Sequence, residues 1–253
     1  MKALITGITG FVGSYLQQAL QKNSYEVFGI AHHHNTELSA SIYVGEINDS
    51  AFVQMVIEKV RPDIIFHLAG FSSVAKSFEM PELAHLVNVE GTRILLDAIR
   101  KFVPRSKTLM ISSAEVYGKV IQVPISETAL LQPTSPYAQS RVTQEALIRE
   151  YSDLYIVIAR SFNHTGPGQT DTFVIPSFCK QIVCMEKKLQ SATISVGNLE
   201  VVRDFSDVRD VVAAYILLAQ SGEFGEIYNV GSGIGYKLFD LLQFVISQSK
   251  VQV

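Results

Sequence analysis

Short apolar runs alternate with amphipathic stretches from the first residue to about position 160, and this rhythm limits the folds available. Ala3-Leu4-Ile5, Tyr25 to Ile30, Ser41 to Val44 (the weakest), Asp63 to His67, Thr108 to Ser112 and Leu154 to Ala159 read as strands. Between them, Phe11 to Leu20 places apolar residues at 11, 12, 15, 16, 19 and 20, the spacing of one helical face. Ala51 to Val60, Glu82 to Phe102 and Pro136 to Tyr151 also read as helices. The last has proline in its first turn, where the missing N–H costs nothing. Strands alternating with helices call for right-handed crossovers and a parallel sheet. Runs that are apolar throughout fit strands covered on both faces. The expectation is an α/β protein with a doubly wound parallel sheet over residues 1–160.

After Arg160 the rhythm changes. SFNHTGPGQTDTF is polar and turn-rich; a helix is predicted over Ile175 to Lys187 and a strand over Ala192 to Val196. Helices over Asp207 to Ala219, with Ser206-Asp207 as its cap, and Leu238 to Ser247 flank a strand at Ile227 to Val230. Residues 204–230 are expected to return to the first domain. Residues 161–203 and 231–253 would form a small C-terminal region. The chain stops at SKVQV without an evident closing element, as expected of a fragment.

Composition narrows the function classes. At 47% apolar and 18% charged residues the chain is globular, not disordered. A net charge of −3 gives no electrostatic footprint for nucleic acid or an anionic membrane surface. No apolar run approaches the roughly 18 residues of a membrane span. Cys179 and Cys184 would point about 140° apart on a helix, which argues against a disulfide and for a reducing, cytoplasmic setting.

Gly7, Gly10 and Gly13 form G-x-x-G-x-x-G between the first strand and the first helix. Such a turn needs a residue tolerant of unusual φ, backbone amides unshielded by Cβ atoms, and the positive end of a helix to receive a pyrophosphate. That context predicts dinucleotide binding. Cofactor choice should be written after the second strand, where an acidic residue would hold the ribose hydroxyl of NAD and arginine the phosphate of NADP. The residues there are Ala31-His32-His33-His34-Asn35. With no carboxylate present, the reading is NADP or NAD, leaning to NADP. Adjacent imidazoles cannot easily all face one ion, so no metal site is expected.

TGITGFVG, GEIND (Gly45 to Asp49), HLAG (His67 to Gly70), NVEGT (Asn88 to Thr92), SSAEVYG (Ser112 to Gly118) and SPYAQSR (Ser135 to Arg141) follow in the order typical of extended short-chain dehydrogenase/reductases acting on nucleotide sugars. RSFNHTGPGQ (Arg160 to Gln169) and VGNLEVVRDFSDVRD (Val196 to Asp210) resemble the branch of GDP-mannose 4,6-dehydratases and GDP-6-deoxy-D-mannose reductases. The resemblance implies a Rossmann-type fold whose small C-terminal region binds substrate, a GDP-sugar partner and a homodimer or higher homo-oligomer. The short connection from His32 to Gly45 favours the reductases over the dehydratases.

By resemblance the catalytic residues are Ser113, Tyr137, Arg141 and Glu115. Reducing a ketone needs a hydride at carbon and a proton at oxygen, and a tyrosine can supply the proton if its pKa falls. A cation ~4 Å away is worth roughly 4 kcal/mol at an effective dielectric of 20, about three pKa units. Positions 137 and 141 lie one helical turn apart on one face. The family has lysine where this chain has Arg141, a group that keeps the charge but is planar and never deprotonates. That departure keeps open a silent nucleotide-sugar-binding protein. Glu115 stands where the dehydratases carry a base for sugar C5, so 4,6-dehydration is the other alternative. The resemblance further assigns Gly7, Thr9, Gly10, Phe11, Val12, Gly13, His32, Glu46, Ile47, Leu68, Ala69, Gly70 and Phe162, together with Tyr137 and Arg141 themselves, to the cofactor, and Ser73, Asn163, Val174 and Arg203 to the substrate. Asn88 and His164 would be structural.

Overall fold

A computed structural model describes residues 1–32, 41–120 and 123–250. The chain forms two compact units, Met1–Ser161 with Asp210–Val230, and Phe162–Arg209 with Gly231–Val253.

The first unit alternates as the apolar rhythm requires. Its elements are β1 (Lys2–Thr6), α1 (Phe11–Lys22), β2 (Glu26–Ala31), β3 (Ile42–Val44), α2 (Ser50–Val60), β4 (Ile64–His67), α3 (Val74–Glu79), α4 (Pro81–His85), α5 (Gly91–Phe102), β5 (Lys107–Ser113), α6 (Pro136–Ile148) and β6 (Ile156–Ser161). The second unit contributes β7 (Asn163–Thr165), α7 (Val174–Glu186) and β8 (Val202–Asp207). α8 (Val208–Ser221) leads back to β9 (Ile227–Val230), and β10 (Gly235–Lys237) and α9 (Leu238–Ser247) follow. Seven parallel strands lie in the order β3-β2-β1-β4-β5-β6-β9. Chain direction along the sheet reverses between β1 and β4, so their carboxyl ends border the crevice where such folds take ligands. Leu4, Ile65 and Met110 of the sheet and Val53, Ile57, Leu95 and Ile99 of α2 and α5 are fully buried. Each such side chain contributes about 1.5–3 kcal/mol.

Several expectations need correction. The predicted helix over 82–102 is interrupted at Leu86–Glu90 by a π-turn. β6 runs to Ser161, two residues beyond the apolar run, because Arg160 is neutralised inside the sheet by Glu145. Residues 192–196 form no strand; Ser195 is tied by its backbone N–H and C=O to the side-chain amide of Gln181 on α7. The return to the first unit begins at Asp210, not 204. Residues 202–207 instead form β8, between β7 and β10 in a three-stranded sheet. Asp207 does cap α8, accepting the Arg209 backbone N–H at 2.8 Å. Among the described residues no helix is long and apolar enough to cross a membrane.

Candidate active site

The glycine turn sits at the carboxyl end of β1. Gly7 has φ +75°, and a Cβ there would lie 2.9 Å from the backbone N of Ala69. A Cβ on Gly13 would lie 2.3 Å from the carbonyl oxygen of Gly7 and 2.7 Å from that of Ile8. Turn and helix therefore approach more closely than any side chain permits. Gly10 precedes α1 and no side chain caps the helix there. Thr9 and Gly10 are exposed, Phe11 and Val12 half-buried. An uncapped helix N-terminus behind a bare backbone turn fits a dinucleotide pyrophosphate.

Leu68, Ala69 and Gly70 continue from β4 against this turn. His32, just past β2, pairs through Nδ1 with the Glu46 carboxylate at 2.7 Å, and both side chains are more than half exposed. Ile47 is buried; a Cβ on Gly91 would lie 2.9 Å from its Cγ2, so α5 starts with glycine where Ile47 packs. His33, His34 and Asn35 lie outside the described residues.

α6 begins at Ser135, whose hydroxyl accepts the Ala138 N–H at 3.1 Å, with Pro136 in the first turn. Tyr137 is 8% exposed, and its hydroxyl has no hydrogen-bond partner among the described residues. One turn on, Arg141 lies 5.4 Å from the Tyr137 ring centroid, measured from its guanidinium carbon. Ser113 ends β5, and its hydroxyl accepts the Glu115 N–H at 3.2 Å, which leaves its own proton to donate. Glu115 sits in the 3₁₀ turn Ala114–Tyr117. Ser73 caps α3 by accepting the Lys76 N–H.

Sequence reasoning missed the polar chain behind these residues. Arg141 is 5% exposed and donates through Nη1 to the Ile111 carbonyl at 3.0 Å and to Gln144 Oε1 at 2.9 Å. Gln144 Nε2 donates to Thr92 Oγ1 at 2.8 Å, and Thr92 donates to the Asn88 carbonyl at 2.7 Å. With its proton so committed, Thr92 accepts from His67 Nε2 at 3.1 Å. His67 Nδ1 then accepts from the Thr6 hydroxyl at 2.8 Å, while Thr6 accepts the Ala69 N–H. Burial, and after it the charge of Arg141, lower the His67 pKa to about 3, so the imidazole is neutral. The signal was present in the sequence: Thr6 and His67 end otherwise apolar strands, and buried polar groups must find partners.

Two further groups brace α6, and a third ties β6 to α8. Asn88 accepts the Phe71 N–H and donates to Ser140 Oγ, so it fixes backbone beside the helix. Glu145 and Arg160, each 2% exposed, form a bidentate pair. Buried Tyr215 meets Ser161 by hydroxyl contact; burial pushes its phenol up to about 12, the Ser161 bond opposes this, and neighbouring Tyr137 adds to it.

The remaining substrate candidates belong to the second unit. Phe162 packs where a Cβ on Gly231 would lie 3.0 Å from its ring, and Asn163 donates to the Asp204 carbonyl at 3.3 Å. Val174 opens α7. Arg203 is exposed on β8 and donates to the Val202 carbonyl. Neither acidic neighbour pairs with it: Asp207 binds Arg209, and Asp204 accepts from Ser232 and the Gly233 N–H. His164 is half-buried with Nδ1 3.0 Å from the Phe162 carbonyl, and burial lowers its pKa against that bond.

The strand order, the glycine turn at the reversal point and a Tyr-x-x-x-cation helix beside it define an extended short-chain dehydrogenase/reductase. The model of one family, described as GDP-mannose 4,6 dehydratase, matches residues 4–252, and the chain belongs to that family. It is 34% identical over 257 residues to GDP-6-deoxy-D-mannose reductase of Pseudomonas aeruginosa, covering 100% of this chain and 81% of that protein. It is 31% identical over 264 residues to GDP-mannose 4,6-dehydratase of Vibrio cholerae, covering 96% and 70%. The solved structure of RMD from Pseudomonas aeruginosa complexed with NADPH matches with a TM-score of 0.88 at 34% identity, covering 100% of this chain and 85% of that one.

Proposed function

We propose that this protein reduces the 4-keto group of a GDP-4-keto-6-deoxyhexose to a GDP-deoxysugar of the GDP-D-rhamnose type, using NADPH or NADH. The observation that carries the reading is the free Tyr137 hydroxyl on a helix whose next turn bears a buried guanidinium. The match of the whole of this chain to 81% of a reductase supports the substrate class. The NADPH complex of a 34% identical relative supports the cofactor.

When bound, the reduced nicotinamide supplies the hydride for the ketone carbon. Tyr137 gives its proton to the ketone oxygen, with the Arg141 guanidinium one turn along the same helix. Ser113 hydrogen-bonds the same oxygen through its hydroxyl, keeping its own proton, and holds it in place. The glycine turn and the start of α1 bind the cofactor pyrophosphate. His32, Glu46, Ile47, Leu68, Ala69 and Gly70 would hold the rest of the cofactor. Ser73, Phe162, Asn163, Val174 and Arg203 serve cofactor and sugar nucleotide, with Arg203 as a phosphate fork. We read the protein as cytoplasmic and homo-oligomeric; two unpaired cysteines support the first.

Glu115, in the turn after Ser113, supports 4,6-dehydration of GDP-mannose as the second reading. One assay separates them. Cofactor oxidation with GDP-4-keto-6-deoxymannose is expected. Conversion of GDP-mannose without net cofactor use would instead establish the dehydratase, and binding without turnover a silent nucleotide-sugar-binding protein.

A further inference from the structure

The family's lysine is replaced here by a longer, planar cation, and the surroundings of Arg141 accommodate that change. Its Nη1 is held by two acceptors, the Ile111 carbonyl and Gln144 Oε1. Its Nε is buried without a partner. Its Nη2 lies where a Cβ on Gly70 would come within 2.7 Å, so glycine at 70 leaves room for the fork. The guanidinium is thus placed by Nη1, at the expense of Nε. Of the two acceptors, the carbonyl belongs to a sheet strand and is fixed. The amide of Gln144 could flip, and its orientation is set by Thr92, whose proton goes to Asn88 and whose lone pairs take Gln144 and His67. The last link, Thr6, immediately precedes the glycine turn.

We infer that Gln144 is a positioning residue for the reaction: it clamps Arg141 through Nη1 and so makes arginine serviceable beside Tyr137. The inference rests on the reductase reading above. Gln144 is buried, bonds to Arg141 and Thr92, and acts through Arg141. A hydrogen bond from a charged donor to a buried amide is strong enough for its loss to cost about tenfold or more in rate.

The test uses the full chain and two variants. Gln144→Leu removes the acceptor; Gln144→Glu keeps it, with Thr92 turning its hydroxyl proton from the Asn88 carbonyl to the new carboxylate. Expected is a fall in kcat of about tenfold or more for Gln144→Leu, with KM for cofactor and sugar nucleotide little changed, and recovery of most of it in Gln144→Glu. The second readout is independent of turnover. A clamped guanidinium rotates slowly about Nε–Cζ, so its two Nη groups give separate 15N signals; Arg141→Lys assigns them. In Gln144→Leu the Arg141 pair should merge, while the Arg160 pair, held by Glu145, stays separate and reports an intact fold. Arg141 signals that remain separate in Gln144→Leu overturn the inference. So does merging with kcat unchanged, or a kcat loss that Gln144→Glu does not recover. An unmutated protein that turns over neither sugar nucleotide sinks the reductase reading instead, and the positioning role with it; the signals would then still say whether Gln144 holds the guanidinium.

Discussion

At the scale of single residues, the site depends on atoms that are missing as much as on those present. Gly13→Ala places a methyl group 2.3 Å from one backbone oxygen and 2.7 Å from another, neither of which can swing aside. We expect dinucleotide affinity to fall at least about tenfold, with a lower Tm, measured by cofactor titration and thermal melting. Tyr137→Phe removes only the proton donor. It should lower kcat about 100-fold or more while leaving cofactor binding close to normal, because general acid catalysis contributes on that order. Retained kcat in this variant would move the acid elsewhere. Both positions stand out in the sequence by spacing and resemblance. The partners of Arg141 and the groups behind them were not legible there: Gln144 is three residues away, but Ile111, Thr92 and His67 are 30 or more.

At the scale of elements, α6 is the part the site is built on. A serine cap, proline in the first turn and Asn88 against Ser140 set its start. One turn beyond Arg141, Glu145 locks it to β6 through Arg160 and accepts from Ser112 on β5 at 2.6 Å. Glu145→Leu leaves a buried guanidinium unpaired and should cost about 3–5 kcal/mol in urea unfolding. The double variant Glu145→Leu, Arg160→Met should lose less, since no charge is stranded. Equal losses would show that the pair's geometry, rather than its charge, supports the helix. Sequence periodicity reached Pro136 as the start of this helix and the end of β9 at Val230. It missed β7, β8 and β10, three to six residues each, whose polar stretches become strands only by pairing with one another.

At the scale of the whole molecule, the buried His67 gives folding stability a pH dependence. Free imidazole titrates near 6.5, and burial, with Arg141 adding to it, lowers the folded value to about 3. Between these values the unfolded chain binds a proton that the folded chain does not, so acid favours unfolding. The stability is fully present above pH 6.5 and is lost as pH falls toward 3. From pH 7 to pH 4 the contribution is about 3 kcal/mol. Urea unfolding of the parent and His67→Gln across that range should show a shallower pH slope in the variant. Parallel slopes would mean that His67 does not titrate differently in the two states.

The amino-acid sequence by itself determined the layered α/β plan, the glycine turn and the face of α6 that carries Tyr137 and Arg141. Each is encoded within a dozen or so neighbouring residues, through hydrophobic period, glycine placement and capping. Only the tertiary structure decided what holds the guanidinium, why Arg160 is tolerated in a buried strand, and where the small sheet forms. Those outcomes depend on buried polar groups meeting across long separations, and a group in low dielectric is stable only with the partner that folding brings to it.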